Sequence, residues 1–192
     1  VVLALVLIPL AIAALNPLQT TRNVAYIIGG LAGICALCIL LVQPLLAVGF
    51  LTHSRIANSR RWHRWLGTSL IFLVALHVGG LYLTSPDDMR DALMLVAPTP
   101  FSLYGVIGLW ALAFTALLVG FRKRMPFADI TWKIFHNLLA VVVVISSVVH
   151  ALMIDGAMGS LSKQLLCICV LIATGLITFH LRVLRPYLQK MP

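Results

Sequence analysis

Six apolar stretches close to membrane-spanning length follow one another along this chain. They cover residues 1–15, 24–42, 65–83, 101–121, 134–154 and 165–184, with short polar joints between them. A hydrocarbon core about 30 Å thick is crossed by roughly 20 helical residues. Inside it the backbone has no water to bond, so such runs close their own hydrogen bonds as helices. The composition agrees: 61% of the residues are hydrophobic and 10% are charged, too few charges to cover a soluble domain. The sequence therefore predicts an all-α fold, a six-transmembrane-helix bundle, as a single domain over residues 1–192. The first stretch is short for a span and starts on a residue other than Met, so upstream residues are expected. A secretory signal is the alternative for it, although no small-residue cleavage site precedes Asn16. Between the third and fourth stretches, an apolar segment over residues 92–97 is expected to lie along the membrane surface, ended by Pro98 and Pro100.

The formal net charge is +9. So basic a chain invites a nucleic-acid reading, but the placement of the charges argues for membrane topology. If the first helix starts in the cytoplasm, the inner segments hold eleven cations: Arg55, Arg60, Arg61, Arg64, Arg122, Lys123, Arg124, Lys133, Arg182, Arg185 and Lys190. The outer segments hold three: Arg22, Arg90 and Lys163. That is the asymmetry of the positive-inside rule. Asp87, Asp88, Asp91 and Asp155 fall outside, and Asp129 inside. The expectation is a multi-pass protein of a bacterial inner membrane with both termini cytoplasmic. It would contact the lipid bilayer and no nucleic acid.

Two of the stretches carry histidines at matched spacing. His63 and His77 are 14 residues apart (77 − 63), and so are His136 and His150 (150 − 136). That is close to four helical turns, which puts both members of a pair on one face, about 21 Å apart along the axis. Alternating spans make the two helices parallel. His63 then matches His136 near the cytoplasmic face, and His77 matches His150 nearer the outer face. An ionisable side chain inside a span is a functional signal, whereas an isolated membrane histidine often serves only as an interhelical hydrogen-bond partner. Four histidines in two equal spacings point instead to paired ligation, a cage for two stacked b hemes. Iron between two imidazoles changes oxidation state with little rearrangement and has no open position, which suits electron transfer rather than oxygenation.

The surroundings of the histidines fit this reading. Gly67, Ala140, Ser146 and Ser147 are small residues on the ligand faces, where a macrocycle needs room, though ordinary membrane helix packing also favours them. Leu70 and Val143 lie midway as an apolar bridge, and Phe72 is the nearest aromatic, at a less favourable angle. Arg60, Arg61 and Arg64 suit the propionates of the inner heme, and Arg90 and Lys163 those of the outer one, with topology-setting charge as the competing reading for each. His53 and His180 have no such partners and read as interface anchors, as do Trp62, Trp65 and Trp132. Cys35 and Cys38 form a CxxC among apolar neighbours, and Cys167 and Cys169 sit in the last stretch. There cysteine packs as a small hydrophobe, with thiol or metal chemistry as the alternative.

With RRWHRWLG and His77 on the third stretch, and FHN and His150 on the fifth, the chain resembles the ferric reductase-like transmembrane domain. That superfamily includes NADPH oxidases, ferric reductases and the heme-binding membrane subunit of a bacterial methionine sulfoxide reductase system. The specific resemblance covers residues 60–154. It implies electrons passing from a cytoplasmic flavin through an inner and an outer b heme to an acceptor outside. It also implies His63 and His136 as inner ligands, with His77 and His150 as outer ones. The flavin, FAD or FMN, would come from a following domain or a separate flavin reductase subunit. The acceptor would be ferric iron, oxygen or a periplasmic partner protein. The chain itself shows no GxGxxG or other nucleotide loop, and LRP at residues 184–186 resembles the point where a flavin domain begins.

Two other readings use the same residues. A proton or metal transporter would place histidines in its spans, but would be expected to show broken helices or acidic partners at mid-membrane. A heme-free structural subunit leaves the four-histidine match unexplained.

Overall fold

The computed structural model describes residues 2–51, 56–126 and 128–181. All regular structure among them is helical: α1 (Val2–Ala14), α2 (Val24–Ala47), α3 (Ile56–Thr84), α4 (Pro86–Leu93), α5 (Pro100–Gly120), α6 (Asp129–Met153) and α7 (Ser160–Phe179). Five of these, α2, α3, α5, α6 and α7, are long and apolar enough to cross a membrane. The chain is thus an integral membrane protein, but the described residues do not reach the expected six spans. The shortfall is α1, whose 13 residues rise only about 20 Å against a core of about 30 Å.

Two helices start earlier than hydropathy indicates. α3 begins at Ile56 and α6 at Asp129, so basic segments read as joints are the first turns of helices that emerge from the apolar layer. At α6, Asp129 in the first turn complements the helix dipole. A short helix, α4, starts ahead of the 92–97 segment, because Pro86 takes an N-terminal position and Asp87 and Asp88 fill the first turn. The chain then breaks at Leu95, which has a positive φ of 61°.

Two antiparallel pairs form the body of the bundle. α2 lies along α3, and α5 along α6, while α7 packs against α2 and α6 and α1 against α2. The α2–α3 pair is pinned at Gly29 and Gly80, where a Cβ on Gly80 would stand 2.7 Å from Ala25 O and 2.9 Å from the Gly29 Cα. Only glycine permits that approach, the usual device for close helix packing in lipid. The α5–α6 pair closes in the same way, with Gly108 against the Ser146 hydroxyl. By contrast α3 and α6 have almost no close backbone approach to each other. The two histidine-bearing helices therefore face each other across a gap.

Cys38 and Cys167 are buried in the core, Cys35 is half-buried and Cys169 exposed, and all four thiols are free. His180 caps the end of α7 and is exposed. His53, Arg55, Arg182, Arg185, Lys190 and the end of the last apolar stretch lie outside the described residues.

Candidate functional site

The gap between α3 and α6 is crossed at two levels by imidazoles. His63 faces His136 with ring centroids 6.3 Å apart and planes crossed at 72°. His77 faces His150, also at 6.3 Å, with planes crossed at 84°. First pairs with first and second with second, so α3 and α6 run parallel, as the alternation of spans requires.

Neighbouring helices hold the rings from behind. Nδ1 of His77 bonds Gly29 O on α2 at 2.8 Å, and Nδ1 of His150 bonds Phe101 O on α5 at 2.8 Å. Nδ1 of His63 bonds Gln43 O on α2 at 3.2 Å. A ring that donates Nδ1–H to a carbonyl keeps a lone pair on Nε2, the tautomer a metal ligand needs. The acceptors on α2 repeat the histidine spacing in reverse, since 43 − 29 equals 77 − 63. Two antiparallel helices in constant register produce that match.

A second regularity explains the tighter bonds. Each 2.8 Å acceptor is followed four residues later by glycine, Gly33 after Gly29 and Gly105 after Phe101. In a helix, residue i + 4 lies directly over the carbonyl of residue i. A Cβ on Gly33 would stand 2.8 Å from Nδ1 of His77, and one on Gly105 2.8 Å from Nδ1 of His150. Glycine therefore clears the seat that the imidazole occupies. After Gln43 the corresponding residue is Ala47, and there the bond is the longer 3.2 Å.

Next to the second pair lies a cavity of about 370 Å³, lined by His77, His150, Gly33, Gly105, Leu70 and Val143 among others. Leu70 and Val143, the residues expected to bridge the two levels, are each 5% exposed and line this cavity, while Phe72 is 68% exposed. Ser147 lines the cavity, but buried Ser146 bonds back to Val142 O and Val143 O of its own helix. Gly67 makes room for the Gln43 side chain, whose amide bonds His63 O at 3.3 Å, rather than for a macrocycle.

The cations divide. Arg61, Arg64, Trp65 and Thr68 surround an open surface pocket. At roughly 100° per residue they lie about 100–200° around α3 from His63, toward the outside of the bundle. Arg60, about 60° around α3 from His63, is the nearest of the three arginines to the His63 face. At the other end Lys163 lines the cavity and donates to Ile154 O, whereas exposed Arg90 pairs with Asp87 at 3.2 Å. Trp132, read from sequence as an interface anchor, instead stacks flat on His136.

These donor sets fit heme. With nitrogen–metal bonds of about 2.0 Å, a centroid separation of 6.3 Å leaves room for one metal atom between the two rings of each pair. Among the described residues no three His, Cys, Asp or Glu side chains converge on a bare metal ion. The imidazoles come in twos, which suits an iron whose remaining ligands belong to a macrocycle.

The described residues thus form an all-helical membrane domain with paired imidazoles at two depths. Comparison with known families makes the assignment specific. The model described as ferric reductase like transmembrane component matches residues 28–147, well over half of the 192. The chain belongs to this family of transmembrane electron-transfer domains. No curated protein and no solved structure gives a match. The matched segment includes His63, His77 and His136, along with Gly29, Gly33, Gln43, Phe101 and Gly105. His150 lies three residues past its end, and it is the pairing geometry that brings it into the site.

Proposed function

We propose that this domain conducts electrons across the membrane between two b hemes, one held by His63 and His136 and one by His77 and His150. The reductant is a flavin, FAD or FMN, carried on the arginine-rich cytoplasmic side by a reductase domain or subunit. The acceptor lies on the opposite side and is ferric iron, oxygen or a periplasmic redox protein. The observation that carries this reading is the repeated 6.3 Å separation of two imidazole pairs in parallel register.

Bound there, each heme would supply a reversible one-electron iron couple. The chain's own residues do the rest. Gly29, Gln43 and Phe101 fix imidazole tautomer and orientation through their carbonyls. Leu70 and Val143 keep the space between the two levels dry. Arg60 and Lys163 are the cations placed for propionates at the two ends. Arg122, Lys123 and Arg124 add positive charge that would draw an acidic flavoprotein to the cytoplasmic side.

The test is vectorial. Liposomes containing the purified protein, reduced from the arginine-rich side, should pass electrons to an impermeant acceptor on the other side. His77→Ala should stop transfer while the His63–His136 level still reduces. Transfer at the wild-type rate in that variant would contradict the proposal.

A further inference from the structure

His63, His77 and His150 each have Nδ1 tied to a carbonyl of the neighbouring helix. His136 carries an aromatic contact on its ring face. Trp132, one turn earlier on α6, lies flat against the imidazole, with ring centroids 5.2 Å apart and planes only 4° from parallel. The aromatic neighbour of His150 makes no such stack: Phe101 meets it edge-on, at 6.0 Å and 62°.

The indole is itself held from two directions. Its Nε1–H donates to Leu118 O on α5 at 3.2 Å. The guanidinium of Arg122 sits over its ring, 5.4 Å from the centroid, a cation–π contact. Arg122 in turn pairs with Asp129 in the first turn of α6. A ladder thus runs from the surface inward: Asp129, Arg122, Trp132, His136. The terminal torsion of histidine is broad and costs little to turn, so a rigid plane on its face is an effective way to fix its angle.

We propose that Trp132 is a positioning residue of the inner site: locked by Leu118 and Arg122, its indole sets the plane of His136 and hence the 72° crossing with His63. This rests on the proposed iron ligation by His63 and His136. It ties the inner site to the α5–α6 connection, the same basic segment expected to meet the electron donor. Contact there with Arg122 would be transmitted to the ligand plane.

The crossing angle of two axial imidazoles governs the anisotropy of the low-spin ferric electron paramagnetic resonance (EPR) signal, with perpendicular planes giving the most anisotropic form. The experiment records EPR spectra of the oxidised full chain as wild type, Trp132→Phe, Trp132→Leu and Arg122→Gln. The outer signal serves as the internal check that each variant is folded. Wild type should show two highly anisotropic signals. Trp132→Phe retains a stacking ring and should keep the inner signal. Trp132→Leu should move the inner signal toward a less anisotropic form, leave the outer one in place, and weaken inner heme retention about tenfold, as loss of a supporting residue does. Arg122→Gln, at the surface, should produce a smaller shift in the same direction. An unshifted inner signal in both Trp132→Leu and Arg122→Gln, with normal heme retention, overturns the positioning role. Absence of any inner low-spin signal from the wild type would instead overturn the ligation reading beneath it.

Discussion

Replacing Gly33 with alanine is expected to unseat His77 while leaving the His63–His136 level intact. The added Cβ would stand 2.8 Å from Nδ1 and 3.0 Å from Cε1 of the imidazole. The ring cannot retreat without stretching its 2.8 Å bond to Gly29 O. Losing a buried hydrogen bond costs about 0.5–1.5 kcal/mol, and overpacking by a methyl group about 1–3 kcal/mol. Together these give about 1.5–4.5 kcal/mol, or roughly ten- to a thousandfold in outer heme affinity at about 1.4 kcal/mol per decade. Gly105→Ala makes the same intrusion on His150 and should behave alike. Gly79→Ala is the control, because nothing lies within 4 Å of its added Cβ. The assay is heme content during graded extraction, read with EPR to tell the two levels apart. Wild-type outer heme affinity in both Gly33→Ala and Gly105→Ala would refute the reasoning.

Three further outcomes are expected. Single cysteines at Asp87 and Arg122, in a background without the native thiols, should label from outside at 87 and from the cytoplasm at 122; the reverse pattern would invert the topology. His77→Ala or His150→Ala should each remove the outer heme and leave the inner one, and His63→Ala or His136→Ala the converse; full heme in all four variants would end the ligand assignment. Gly80→Ala should lower the thermal midpoint, since its Cβ would meet the α2 backbone at 2.7 Å and such overpacking costs about 1–3 kcal/mol. An unchanged midpoint would place the α2–α3 contact elsewhere.

Much of this architecture was legible because spacing on a helix is spacing in space. The interval of 14 residues put His63 with His77 and His136 with His150 on single faces, and parallel spans gave the pairings the structure displays. The inward placement of Leu70 and Val143 followed from the same arithmetic. What hydropathy could not supply was helix extent. The polar first turns of α3 and α6 continue helices beyond their apolar runs, and only 13 residues of α1 are described. α4 was not read at all, although Pro86, Asp87 and Asp88 mark a helix start.

The supports behind the histidines were harder to read because they are backbone groups. Gly29, Gln43 and Phe101 act through carbonyls, which any residue carries, so their identity hides the role. Gly33 and Gly105 were visible as glycines, but their purpose depends on which helix lies behind each histidine. Trp132 could have been found from its four-residue offset to His136; its position at the expected interface gave it a plainer explanation.

The most direct measurement of the central claim is the heme-to-protein ratio of the purified chain by pyridine hemochrome assay, with protein quantified by amino-acid analysis. Two imidazole pairs, each at 6.3 Å, predict a ratio near two with a reduced b-type spectrum. A ratio near one, or a colourless protein, would contradict the account.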